Sequence, residues 1–136
     1  MNGAIDYREP VTVRPAAILT NDYVAGTVIG GETTGEKSKT NEYNQLILYV
    51  TFTIGSLTSA QIKVEFSNDN STYYQETAMS ISGGTVTESL AIHTISASGN
   101  YRICIPMNDR YVKISAIGTG TVTSSSMGIK AVLGVN

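Results

Sequence analysis

The sequence predicts an all-β protein: one antiparallel, jelly-roll-like β-sandwich of about eight strands with no significant helix. Three observations lead there. Apolar residues alternate with polar ones over short runs, as Ile62, Val64 and Phe66 do with Gln61, Lys63 and Glu65. That period of two marks a strand with one face on a core and the other in water. Turn signals separate the runs, at Gly55-Ser56, Ser67 to Ser71, Ser82-Gly83-Gly84, Ser96 to Asn100 and Gly118-Thr119-Gly120. Finally, charged residues are only 15% of the chain, and Thr, Ser, Gly and β-branched residues dominate. That mix suits strands and tight turns, whereas a disordered chain would carry more charge and less Ile, Val and Leu.

In chain order, residues 1–15 form an expected N-terminal extended segment. Pro10 and Pro15 bracket Val11 to Arg14, a short extended piece that fits a sheet edge, where proline is tolerated. It reads either as a plain first strand or as an arm over a neighbouring subunit, and deleting residues 1–14 is expected to leave the rest folded. Residues 16–136 form the expected sandwich domain. Ala16 to Leu19 extends the first strand, Thr20 to Tyr23 is a polar turn, and Val24 to Ile29 is a strand that Gly30-Gly31 ends. The stretch 31–44 is the most polar and reads as a long loop, a length that usually signals function or mobility. Its Lys37 and Lys39 make no basic patch, because Glu32, Glu36 and Glu42 offset them.

Residues 46–54 are the most apolar run and read as a central strand, with Leu46, Leu48, Val50, Phe52 and Ile54 on one face. Its β-branched and aromatic content, and Gly55-Ser56 after it, argue against a helix. Gln61 to Tyr74 reads as a hairpin, whose Ser-Asn-Asp-Asn-Ser turn bonds its own backbone. Tyr73, Thr77, Met79 and Ile81 are the expected inward set of the next strand. Beyond the Gly83-Gly84 turn, Val86, Leu90 and Ile92 share a face. Three more alternating runs follow, carried by Tyr101, Ile103 and Ile105, by Val112, Ile114 and Ala116, and by Met127, Ile129, Ala131, Leu133 and Val135.

The 136 residues suffice for one domain with a core. A net charge of −2 gives no electrostatic footprint for nucleic acid or an anionic membrane. No run approaches the length of a membrane span. Met1 is followed by polar and charged residues with no apolar signal-peptide core, so synthesis in the cytoplasm is expected. The lone Cys104 permits no disulfide within one chain and reads as a small half-buried strand residue. The lone His93 reads as structural or solvated, and no nucleophile motif, metal-spaced set or phosphate loop accompanies it. Asn68, Asp69 and Asn70 offer oxygens to a hard cation, but one carboxylate is little charge for that, and a plain turn is the better reading. No catalytic, cofactor or metal residue is therefore expected, and the chain is not read as an enzyme. Tyr73 and Tyr74 stay open as a sugar-stacking pair, against core or interface tyrosines.

Three pieces carry a resemblance. Val64 to Glu76 resembles the strand, Ser-Asn-Asp-Gly, Trp-or-Tyr hairpin of phage virion β-sandwiches and of discoidin-like carbohydrate-binding modules. Arg110 to Thr123 is similar to the strand and Gly-Thr-Gly-Thr turn that accompanies it in such phage proteins, and Asn21 to Gly31 is similar to an Ala-Gly…Gly-Gly element of small tailed-phage structural proteins. Asn70 stands where the hairpin's glycine is expected, and can still adopt positive φ. The resemblance implies a virion structural protein: first a capsid decoration (cement) protein on the major capsid protein lattice, with a tail, neck or baseplate component or a host-attachment carbohydrate-binding module as alternatives. It implies other virion proteins as partners, a homo-oligomer, and no cofactor. The expected partner contacts are Asp6, Tyr7, Arg8 and Arg14 in the first segment and Lys37, Lys39 and Tyr43 in the polar loop. The expected glycan contacts, on the alternative reading, are Tyr73 and Tyr74.

Overall fold

The structure is a computed structural model that describes residues 6–7, 10–30 and 43–135. The described residues form thirteen strand segments and no helix: β1 (Asp6–Tyr7), β2 (Val11–Ala17), β3 (Val24–Ala25), β4 (Ile29–Gly30), β5 (Gln45–Thr53), β6 (Leu57–Ser67), β7 (Tyr74–Gln75), β8 (Thr77–Ser82), β9 (Thr85–Leu90), β10 (His93–Ile95), β11 (Gly99–Pro106), β12 (Tyr111–Gly120) and β13 (Ser126–Val135). All pairings are antiparallel. Sheet A runs β1/β2–β13–β5–β11, and sheet B runs β7/β10–β6–β12–β3/β4. Segments sharing one neighbour share one strand position, so each sheet has four positions and the sandwich has eight, with the β8–β9 hairpin outside both. From β10 onward every strand crosses to the other sheet, as do β5 and β6. This is the strand exchange of a jelly roll.

The alternation in sequence supplies the core. Leu46, Leu48, Val50 and Phe52 from β5 and Met127, Ile129, Ala131 and Leu133 from β13 meet Ile62 and Val64 from β6 and Val112, Ile114 and Ala116 from β12. Two inner faces thus interdigitate into one apolar layer. Ile54, Phe66, Ile103 and Val135 pack at its margin. Ile47 is also buried, on the opposite face of β5, where register places it between Cys104 and Val132.

Several boundaries differ from expectation for identifiable reasons. The expected strand over Val24 to Ile29 is split, because Gly26 donates to Ile114 O (2.9 Å) while the next amide, Thr27, donates to Val13 O (2.9 Å). The chain there turns from sheet B towards sheet A, and a Cβ on Gly26 would lie 2.4 Å from Val13 O. β2 runs through residue 15, so the expected arm includes an edge strand of the domain's own sheet, with Pro15 in it. β12 continues past Gly118 to Gly120, with a register irregularity at Thr119/Gly120. Cys104 is exposed on the edge strand β11 rather than half-buried, and its sulfur accepts from Gln45 Nε2 at 3.2 Å.

The main correction concerns β8 and β9. The set Thr77, Met79 and Ile81, expected to point inward, lies in the open, as do Val86 and Leu90. The hairpin itself forms as read, with Gly83 and Gly84 both at positive φ between Ser82 and Thr85.

Candidate functional site

The Ser67 to Tyr74 turn shows how local sequence shapes this surface. Ser67 Oγ accepts from the Asp69 and Asn70 amides (3.2 and 2.9 Å) and donates to Asp69 Oδ1 (2.9 Å). Asp69 Oδ1 in turn accepts from the Ser71 and Thr72 amides at 2.8 and 2.9 Å. Asn70 takes φ 58°, filling the glycine position as its residue type allows. The one carboxylate of this run is thus committed to its own backbone. The Thr72 and Ser71 amides and the Ser67 hydroxyl hold its pKa below the usual carboxylate value. A carboxylate whose folded pKa is depressed stabilises the fold above its unfolded pKa, and that gain is lost as pH falls through the folded value. Asp69→Asn is therefore expected to lower the unfolding temperature at neutral pH. The gap from wild type should close as pH falls through the folded value, read by thermal unfolding from neutral into acid pH. A gap independent of pH would remove the charge from the account.

The two tyrosines after this turn do not share a surface role. The Tyr73 hydroxyl donates to Asn70 Oδ1, and Lys113 Nζ lies 4.3 Å from its ring centroid. Burial, then the nearby Tyr111, Asp69 and Glu65, push the Tyr73 phenol up in pKa. Tyr74 is 70% exposed and pairs across strands with Phe66. On the outer face of sheet B, which Lys113 shares, Lys63 sits over the Tyr23 ring (4.4 Å) and 3.7 Å from Glu65, and Tyr23 donates to Gln61. Cations and rings on this face are matched within the domain.

The expected partner contacts scatter. Arg14 is turned to structural work: Nε donates to Met127 O (3.1 Å) and Nη2 to Ile18 O (2.8 Å) and Ala17 O (3.3 Å). Burial lowers its pKa from the usual guanidinium value, though an arginine stays charged. Removing residues 1–14 would strip most of β2 from sheet A, so the segment cannot be deleted as a free arm. Tyr43 is buried and packs in the core. The backbone of Asp6 and Tyr7 pairs with Val135 and Gly134. Arg8, Lys37 and Lys39 lie outside the described residues.

The surface that sequence reading missed is the β8–β9 hairpin. Cross-strand register puts Thr77, Met79, Ile81, Val86, Glu88 and Leu90 on one face and Ala78, Ser80, Ser82, Thr85, Thr87 and Ser89 on the other. The apolar side chains are widely exposed: Met79 62%, Ile81 67%, Val86 57% and Leu90 63%. The arm leaves sheet B where β7 ends and β10 begins. Glu76 N donates to Val64 O (3.0 Å), Ala91 N to Glu76 O (2.8 Å) and Gln75 Nε2 to Ala91 O (3.2 Å), with His93 Nε2 3.6 Å from Glu76 Oε2. Its base is clamped while its length is free. Its sequence signal was present, since all four apolar residues alternate with Ser, Thr or Ala, but the same alternation describes a strand on a core.

A second exposed surface is the part of the outer face of sheet A around Tyr49; nearer the other end of β5 the same face is buried at Ile47 and Val132. Register aligns Thr12, Lys130, Tyr49 and Arg102 in one row across β2, β13, β5 and β11. Tyr49 is 43% exposed at its centre. Depressions flank Tyr49 on its two sides, one lined by Arg14, Pro15 and Lys130, the other by Asn100 and Arg102, with Thr51 in both.

No protein-family model matches the chain, and no curated protein matches it in sequence. Among solved structures, the fold is similar to the crystal structure of the PBSX exported protein XepA, with a TM-score of 0.54 and 9% sequence identity. The likeness covers 98% of this chain and 38% of that one. At this identity it is a likeness of fold.

Proposed function

We propose that the chain is a phage virion structural protein that works by binding, and that its place is on the head, as a decoration protein over the major capsid protein lattice. The observation that carries this reading is an eight-position jelly-roll sandwich similar in fold to a phage exported protein. The three sequence pieces that resemble phage virion sandwiches support it from a separate direction. Two of them lie in the turn after β6 and along β12, inside the observed sandwich. A decoration protein acts mechanically: it spans lattice junctions and adds buried area at each, so many modest contacts resist internal pressure together.

The test is copy number in purified particles, by quantitative mass spectrometry against the major capsid protein. Decoration predicts a number comparable with that protein. A few copies per particle would move the protein to the tail, neck or baseplate, and absence from particles would overturn the virion reading.

A further inference from the structure

We infer that the β8–β9 arm docks on the outer face of sheet A of a second copy of this chain, its apolar residues covering Tyr49 and its Glu88 meeting Lys130 and Arg102. This self-association stands independently of the virion reading. A two-stranded hairpin is marginal alone, and needs a further strand or a packed surface to be stable. The arm has an apolar stripe on one side only, so the cover it needs is one-sided and flat. The outer face of sheet A around Tyr49, Lys130 and Arg102 is exposed and offers such cover.

Charge decides between the possible occupants. Glu88 sits within the apolar stripe, directly across from Met79. No ion pair holds Glu88, Lys130 or Arg102 among the described residues. The outer face of sheet B, by contrast, pairs Lys63 with Glu65 and Tyr23 and seats Lys113 on Tyr73. Packing two arms stripe to stripe would bury each Glu88 in an interface that offers it no cation, which is unfavourable. Packing the arm on sheet A sets one carboxylate between two cations. The aliphatic stems of Lys130 and Arg102 extend the apolar floor on either side of Tyr49.

The two patches differ, so two copies exchange arms reciprocally about a two-fold axis, or head-to-tail docking closes a larger ring or grows a chain. One arm is smaller than a standard interface, so each copy engages twice, once by its arm and once by its face.

The experiment is the solution mass of the full chain by light scattering and sedimentation velocity over a micromolar concentration series. Wild type is expected to assemble, as an arm-exchanged dimer or a larger species. Glu88→Lys alone, or Arg102→Glu with Lys130→Glu, should weaken assembly by about tenfold or more. Each variant should keep the wild-type unfolding temperature when dilute, because all three positions are exposed. Mixing the two variants should restore assembly, since a lysine arm meets an acidic face and a glutamate arm meets a basic one. The triple variant should also assemble by itself. A monomeric wild type, an assembly indifferent to the sheet A changes, or a failure of the mixture to assemble would each overturn the inference.

Discussion

Leu48→Ala is expected to cost about 2–5 kcal/mol of stability, the range for emptying a buried leucine site. Leu48 is fully buried in the middle of β5, the strand that pairs with both β13 and β11 in sheet A. Its cross-strand neighbours on the inner face are Ala131 and Ile103. Ala131 is too small to fill the space by turning, and the opposite sheet is held by its own pairing, so the site should collapse little. Cost therefore combines lost transfer energy with a residual cavity. Thr53→Ala, exposed on the same strand, should stay within about 0.5 kcal/mol of wild type. Chemical denaturation of the two variants reads both numbers. A Leu48→Ala value near that of Thr53→Ala would mean that the two sheets do not share this core.

Gly55→Ala should be of similar size for a different reason. Gly55 turns the chain from β5 in sheet A to β6 in sheet B, at φ 55°. A Cβ there would lie 2.4 Å from Ser124 O and 2.5 Å from Ser124 Oγ, in the connection between β12 and β13. Left-handed backbone costs a residue with a Cβ about 1–2 kcal/mol, and the overlap forces a backbone shift costing about 1–3 kcal/mol more. The sum, about 2–5 kcal/mol, would fall on the whole domain, because Ser124 Oγ also accepts from Ser56 N and ties the two crossings together. Gly83→Ala is the matched comparison. Gly83 has φ 58°, but nothing lies within 4 Å of its Cβ position. Its cost is the backbone term alone, and it falls on an arm that the core does not need. Thermal unfolding should therefore shift clearly for Gly55→Ala and hardly for Gly83→Ala. Equal shifts would show that φ alone, without the Ser124 contact, sets the effect.

Much of the sandwich was written in local pattern. Alternation assigned the inner faces of β5, β6, β12 and β13 residue by residue, because side chains on a strand alternate and one face of each carries the unbroken apolar row. Turn chemistry placed the Ser67 to Ser71 and Gly83-Gly84 reversals, and it anticipated positive φ at Asn70, because those backbone shapes are set by the residues in them. What the pattern could not specify was what each face would meet. Met79, Ile81, Val86 and Leu90 obey the same rule as Ile62 and Val64, yet one set projects beyond sheet B and the other closes the core. Alternation reports that a face is apolar, not which surface covers it. Pattern also left open what Arg14 and Tyr43 would touch: Arg14 bonds Met127 O across the sheet as well as the nearby Ala17 and Ile18 carbonyls, and Tyr43 joins the core. Sequence alone thus determined the strands, their buried faces and their turns, which depend on near neighbours. Only tertiary structure decided strand order, the split at Gly26, the freedom of the β8–β9 arm and the row of Lys130, Tyr49 and Arg102, because each arises from segments brought together across the fold.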